Sequence, residues 1–319
     1  MKIDRKEAKA WAREHLWGFY EAPMTPLTAD FQIDEAALRD NVEKYIDMGV
    51  DGLVVGGFVA EVWNMSHGEW HRYHAIIAEA AAGRIPLWTI ILEPSVHEAL
   101  KRLEFVQKLG YVGAGVMNPS VQLRAPDEVV DWFGYLSDHC DMPLVLYRTP
   151  ISGTLMDVDT VRRLADMDTI VGVKQGSFNR GDTFVLRRIC HPDFVVSDPF
   201  ERFFLDDLRH GGQVLWAAFW YIAFGKLRPH VRRYYELARQ GQWEAAYSEW
   251  ERLEPARGYF DELAANMART GTYANHLSMM KPWMDAIGIQ AGPVRPPVRA
   301  VDPQRAEAVV SRLRELGVA

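Results

Sequence analysis

Lys174 closes the run Ile170-Val171-Gly172-Val173-Lys174, and Tyr147 closes Pro143-Leu144-Val145-Leu146-Tyr147. Each follows a stretch of small or branched apolar residues, the composition of a strand buried on both faces. An ammonium at the mouth of a buried strand is costly unless it is paired, solvated or shifted towards its neutral form. A neutral lysine amine attacks carbonyl carbon and forms a Schiff base. A phenol nearby supplies the other requirement of imine chemistry, a group that moves protons to and from the carbinolamine and the substrate hydroxyl. Taken alone, the lysine reads more readily as a strand-end charge pointing into water. Its neighbours in the fold decide between the two.

Both runs belong to a regular alternation. Residues 4–16 have helical spacing, and a first short strand and its loop lie within 18–26. Asp34 can cap a helix over 35–48 that stops at Gly49, before the strand at 52–57. A helix after Ser66 runs towards Gly83, and the strand 86–92 follows. Helix 95–109 ends at Gly110, before the strand at 112–117. Helices at 126–139, 157–166, 180–190 and 199–209 then separate strands at 143–147, 170–174, 194–197 and 213–218. Eight short strands alternating with helices predict a parallel sheet closed as a (β/α)8 TIM barrel. Beyond residue 220 only helical patterns remain, at 226–239, 242–268, 273–287 and 303–316, with Pro293 to Pro297 as a connector. The expected organisation is an N-terminal helical extension (1–17), a barrel (18–224) and a C-terminal helical appendage packed on it (225–319). In this fold the C-terminal strand ends form the active rim, which brings Lys174, Tyr147 and the turn from Gly56 to Glu61 to one place.

The chain has 319 residues, 48% hydrophobic and 25% charged, as expected of a globular protein. A net charge of −7 argues against nucleic acid as a partner. Cys140 and Cys190 lack metal-ligand spacing, and a reducing cytoplasm fits them. The segment Met1-Lys2-Ile3-Asp4-Arg5-Lys6-Glu7 is charged, unlike a secretory signal, and no apolar run approaches the roughly 18 residues of a membrane span. His67, His71 and His74 share a helix face at metal-compatible spacing, but that face points away from the rim and reads as solvated. Gly211-Gly212 reads as a tight turn, and Asp198 as a helix cap.

In Thr25-Pro26, Ile33-Asp34, Gly49-Val50-Asp51-Gly52, Glu61 with Met65-Ser66 and Glu69, Tyr147 with Pro150, and Gly172-Val173-Lys174, the chain resembles the dihydrodipicolinate synthase / N-acetylneuraminate lyase family of lysine-dependent aldolases. The likeness covers roughly residues 18–290. It implies that Lys174 is the Schiff-base lysine and Tyr147 the proton-relay phenol. It also implies a pyruvate or 2-keto acid substrate, no metal or organic cofactor, and a homo-oligomer, dimer or tetramer. The departures are specific. Where the family reads Gly-Thr-Thr-Gly-Glu or Gly-Ser-Thr-Gly-Glu, this chain has Gly57-Phe58-Val59-Ala60-Glu61, without either hydroxyl. Backbone amides of Phe58 and Val59 remain able to hold a carboxylate. The tyrosine that a neighbouring subunit contributes in the synthases falls near Ser120-Val121. The family's asparagine after the tyrosine is Arg148, and an arginine of the synthases falls at Ser152. The chain is therefore read as a divergent member, not a lysine-biosynthesis synthase.

Phe58, Trp63, Trp88, Trp216, Phe219 and Trp220 are expected at or just past strand ends, either as packing or as a pocket for an apolar substrate tail. The resulting assignment is catalytic Lys174 and Tyr147, with Phe58, Val59, Arg148, Ser152 and Trp216 binding substrate. The expected activity is an aldolase or hydratase-aldolase type lyase for pyruvate or a 2-keto acid with a hydrophobic or aromatic substituent. A dehydratase of a sugar-derived 2-keto acid, using Arg148, Ser152 and Ser197, is the second enzyme reading. A catalytically silent keto-acid-binding protein on the same barrel is the third.

Overall fold

Short, almost uniformly apolar strands fix the architecture: they are buried on both faces, so they must lie inside a layer of helices. The computed structural model describes residues 3–319 other than 178, 271 and 272, without the side chains of 152, 264–270 and 273–275. The strands are β1 (Gly18–Glu21), β2 (Gly52–Val55), β3 (Leu87–Ile91), β4 (Gly113–Val116), β5 (Leu144–Arg148), β6 (Ile170–Gln175), β7 (Val195–Ser197) and β8 (Val214–Ala218). All pair in parallel, in the order β7-β6-β5-β4-β3-β2-β1-β8. The eight-stranded TIM barrel expected from the alternation is present. Its seam is closed by a side chain. The Ser197 hydroxyl on β7 donates to Val214 O at 2.8 Å and accepts from the Trp216 amide of β8 at 3.1 Å.

Helices α1 (Ala8–His15), α2 (Glu35–Asp47), α3 (His67–Ala81), α4 (Val96–Lys108), α5 (Pro126–Asp138), α6 (Val158–Ala165), α7 (Arg180–Ile189) and α8 (Phe204–Arg209) alternate with the strands. Their ends follow local chemistry. Asp34 accepts from the Ala37 amide at 2.9 Å, Ser66 and Glu69 cap the start of α3 reciprocally, and Gly49, Gly83 and Gly110 follow helices with positive φ. Helices α9 (Trp220–Ala223), α10 (Arg228–Arg239), α11 (Trp243–Glu251), α12 (Glu254–Thr270), α13 (Tyr273–Ala286) and α14 (Pro303–Glu315) complete the chain. The single helix expected over 242–268 is two helices. Pro255 cannot donate to an earlier carbonyl but suits the first turn of a new helix, so the chain breaks at 252–253 and restarts at Glu254.

The residues form two compact units. One comprises Met1–Ala22, Asp51–Gly57 and Ala82–Ala218 and contains all eight strands; the other comprises Pro23–Val50, Phe58–Ala81 and Phe219–Ala319. No described helix is long and apolar enough to cross a membrane.

Candidate active site

The strands present their chemistry only because the barrel is filled beneath it. Trp88 and Trp216, expected at strand ends, are instead the second residue of β3 and the third of β8, at 0% and 1% exposure. Their rings meet edge to face at 5.7 Å although β1 and β2 separate the two strands in the sheet, so both rings occupy the barrel interior. Glycines make the room. A Cβ at Gly115 of β4 would stand 2.5 Å from Trp216 Cη2 and 2.6 Å from Ile90 Cδ1, and one at Gly113 would strike the Trp88 ring. Trp11 of α1 stacks on Trp88 at 6.4 Å. These indoles build a floor.

Above that floor Lys174 and Tyr147 are register partners on β6 and β5. Lys174 Nζ donates to Tyr147 Oη at 3.1 Å and lies 4.4 Å from the centre of its ring. A second bond, 2.8 Å long, runs from Nζ to the carbonyl oxygen of Ala217 on β8. No carboxylate appears among these partners, and burial brings the amine down to about 7. Near neutral pH a substantial fraction is therefore the free base that imine formation requires. Burial pushes the Tyr147 phenol the other way, above its usual range, so it stays a proton donor at neutral pH.

Ala217 was not anticipated from the sequence. It is the extra residue where Tyr20 and Glu21 of β1 face Trp216 and Ala218, and its φ is 55°. Such a bulge re-aims the chain and turns the carbonyl onto the lysine. Two consecutive alanines at a strand end carry no local signal for that conformation.

Arg148 ends β5 at 2% exposure. Its Nε donates to Met156 O at 2.7 Å and its Nη2 to Asp182 at 2.8 Å, and its Nη1 donates to the Gln175 side chain. Gln175 in turn donates to Ser177 Oγ at 2.9 Å. The guanidinium thus ties the ends of β5 and β6 to α7. Ser197 is committed to the barrel seam. Ser152 closes the 3-10 turn Pro150–Ser152, and its side chain lies outside the described residues. Asp198, buried after β7, caps the Phe200 amide at 3.1 Å; burial raises its carboxyl to about 6.

In the other unit Phe58 and Val59 are half-buried and begin the 3-10 turn Phe58–Ala60, and Trp63 stands exposed in a second turn, Val62–Asn64. Thr25 Oγ1 donates to Ala60 O at 2.6 Å and fixes the first turn from behind. His71 and His74 of α3 bond Nδ1 to the carbonyls of His67 and Trp70 at 2.7 and 2.8 Å, and no metal-binding cluster occurs among the described residues.

Residues 15–316 match the model of the dihydrodipicolinate synthetase family. A 4-hydroxy-tetrahydrodipicolinate synthase of Methanothermobacter thermautotrophicus is 34% identical over 171 residues, 53% of this chain and 60% of that protein, so the match spans less than two thirds of that relative. An N-acetylneuraminate lyase of Rhizobium meliloti is 27% identical over 302 residues, 94% of each chain. Among solved structures, a dihydrodipicolinate synthase from Oceanobacillus iheyensis superposes with a TM-score of 0.82 at 18% identity, covering 98% of this chain and all of its own; at that identity the likeness speaks for the fold.

Proposed function

The chain belongs to the dihydrodipicolinate synthetase family, and from that premise we propose a lysine Schiff-base carbon–carbon lyase, of aldolase or hydratase-aldolase type, for pyruvate or a 2-keto acid with a hydrophobic or aromatic substituent. The observation that carries the reading is the 3.1 Å contact between Lys174 Nζ and Tyr147 Oη around an amine brought to about 7. The free amine attacks the keto carbon, forming the C–N bond. Tyr147 supplies the proton with which the carbinolamine hydroxyl leaves as water, giving the imine. Protonated, that imine accepts the electron pair of the bond broken in cleavage, or releases an α-proton for condensation.

The aldolase reading is favoured over a sugar-acid dehydratase by the engagement of the polar groups such an enzyme would use. Arg148 is held by Met156, Gln175 and Asp182, and Ser197 by the seam. In this reading Arg148 supports the strand ends and Trp216 the floor. Incubation with pyruvate and sodium borohydride should add the reduced pyruvyl mass to the peptide containing Lys174 and fail in Lys174→Ala. An adduct on Lys226 or Lys281 instead would overturn the assignment.

A further inference from the structure

Side chains alternate along a strand, so the residue after Tyr147 and the residue after Lys174 face away from the barrel interior and towards the helices. Those residues are Arg148 and Gln175, register partners one rung beyond Tyr147 and Lys174. Both are buried, at 2% and 0% exposure. The guanidinium is spread over three elements. Its Nε donates at 2.7 Å to Met156 O, in the segment that leads from β5 to α6. Its Nη1 donates to Gln175 Oε1, and its Nη2 to Asp182 Oδ2 of α7 at 2.8 Å. Two of these partners are themselves fixed. Gln175 Nε2 donates to Ser177 Oγ at 2.9 Å and to Asn179 O at 3.2 Å, and Asp182 Oδ1 accepts from Asn179 Nδ2 at 2.8 Å.

A buried ion pair is weak evidence for stability, because apolar replacements of similar volume often serve as well. The distinctive effect of this one is geometric. Gly176 N donates to Arg148 O at 2.8 Å where β5 and β6 end, and the chains then diverge into the turn Pro150–Ser152 and towards α7. The 3.1 Å contact between Lys174 Nζ and Tyr147 Oη lies one residue short of those ends, where strands fray most readily. A planar guanidinium with donors at fixed angles constrains distance and direction together, which an ammonium on a flexible stem does not. Chemistry between positioned groups is sensitive to displacements of about 1 Å.

We infer that Arg148, acting through Gln175 and the end of β5, is the positioning residue that holds the Tyr147 phenol against the Lys174 amine. The inference rests on the Schiff-base reading above. The test follows imine formation in the full chain: pyruvate is mixed with the protein and borohydride is added at successive times. The adduct mass on the Lys174 peptide is then read across pyruvate concentrations. In Arg148→Met the maximal rate should fall about tenfold to a hundredfold, with half-saturating pyruvate within about twofold of the parent. Arg148→Lys, which keeps a cation for Asp182 but not the fork, should lose as much. Tyr147→Phe/Arg148→Met should react no more slowly than Tyr147→Phe alone, because a group that acts through the phenol then has nothing left to position. Rates unchanged by both Arg148 substitutions overturn the inference, as does full activity in Arg148→Lys, which would make the ion pair alone sufficient. Losses that multiply in the double variant overturn it as the mark of general distortion. A rise in half-saturating pyruvate at an unchanged maximal rate would place Arg148 in substrate binding and overturn it too. So would failure of both Arg148 variants to fold, since the clamp would then determine the fold and not the aim. No adduct in the unmodified protein overturns the Schiff-base reading itself, and the inference with it.

Discussion

The carbonyl oxygen of Ala217 accepts a 2.8 Å hydrogen bond from Lys174 Nζ, and Ala217 reaches that position only through a φ of 55° at a bulge in β8. Alanine tolerates this conformation at a cost that a β-branched residue would greatly increase. Ala217→Val should therefore lower stability by about 1–3 kcal/mol. It should also slow trapping of pyruvate on Lys174, as the carbonyl swings away. Urea unfolding and adduct kinetics would check both; a variant as stable and as reactive as the parent would mean that the bulge imposes no constraint.

Tyr147 is the only side chain bonded to the Lys174 amine among the described residues, and burial keeps its phenol protonated. Tyr147→Phe keeps the ring and deletes the relay. Turnover should fall by roughly 10²–10⁴, the usual worth of a positioned proton-transfer group, with much smaller change in keto-acid binding. An unaltered kcat would move the relay to water or another group.

The depressed lysine has two consequences with pH. Trapping with cyanoborohydride at fixed pyruvate should rise by about tenfold per pH unit below pH 7 and flatten above it, where the amine is already neutral. Stability carries the opposite signature of an ordinary ion pair. Below pH 7 the lysine is charged in both folded and unfolded chains, and the burial penalty is complete. Between about 7 and 10.5 only the unfolded chain binds the proton, so stability climbs; above that range the penalty is gone. Lys174→Met should thus be more stable than the parent at pH 6, by up to about 1.4 kcal/mol per pH unit of depression, and the advantage should shrink towards pH 10. Parallel stability curves for the two proteins would show that the amine is not desolvated.

Ser197 stands where a backbone ladder between β7 and β8 would otherwise close the ring. Ser197→Ala leaves the buried Trp216 amide without its acceptor and Val214 O without its donor. A loss of about 1–3 kcal/mol is expected, read as a lower Tm. An unchanged melt would mean that other contacts suffice to close the seam.

The barrel and the adjacency of Tyr147 and Lys174 at its strand ends were legible because they depend on local pattern. Apolar runs ending at Tyr147 and Lys174, and glycines after helices at 49, 83 and 110, signal their places in the fold within a few residues. What escaped depends on pairs distant in sequence. Trp88 and Trp216 look like rim residues until Gly113 and Gly115 are seen to vacate the interior for them. Arg148 looks like an anion binder until folding delivers Asp182 to it. Lys281 did have a signal, a single charge in an apolar helical run, but its partner Glu61 lies far back in the sequence and no spacing rule joins them. The left-handed Ala217 had none.

The remaining prediction concerns the substrate tail. Phe58 and Val59 stand where the family places two hydroxyls, and the following turn exposes Trp63 at 44%. Covering one benzene-sized group with such side chains is worth about 2–3 kcal/mol by area, or roughly tenfold to a hundredfold in kcat/KM. Pyruvate with an aromatic aldehyde, or an aryl-substituted 2-keto acid in the cleavage direction, should outperform a small hydrophilic aldehyde by about that factor. Phe58→Thr should narrow the gap, because it removes apolar contact and restores a hydroxyl that a small polar substrate can use. Val59→Thr, which conserves volume, should narrow it less. If aspartate semialdehyde or a sugar aldehyde turns over faster than every aromatic acceptor tested, Phe58 is a packing residue of its turn, and the hydrophobic-tail reading fails while the proposal of a Schiff base on Lys174 is untouched.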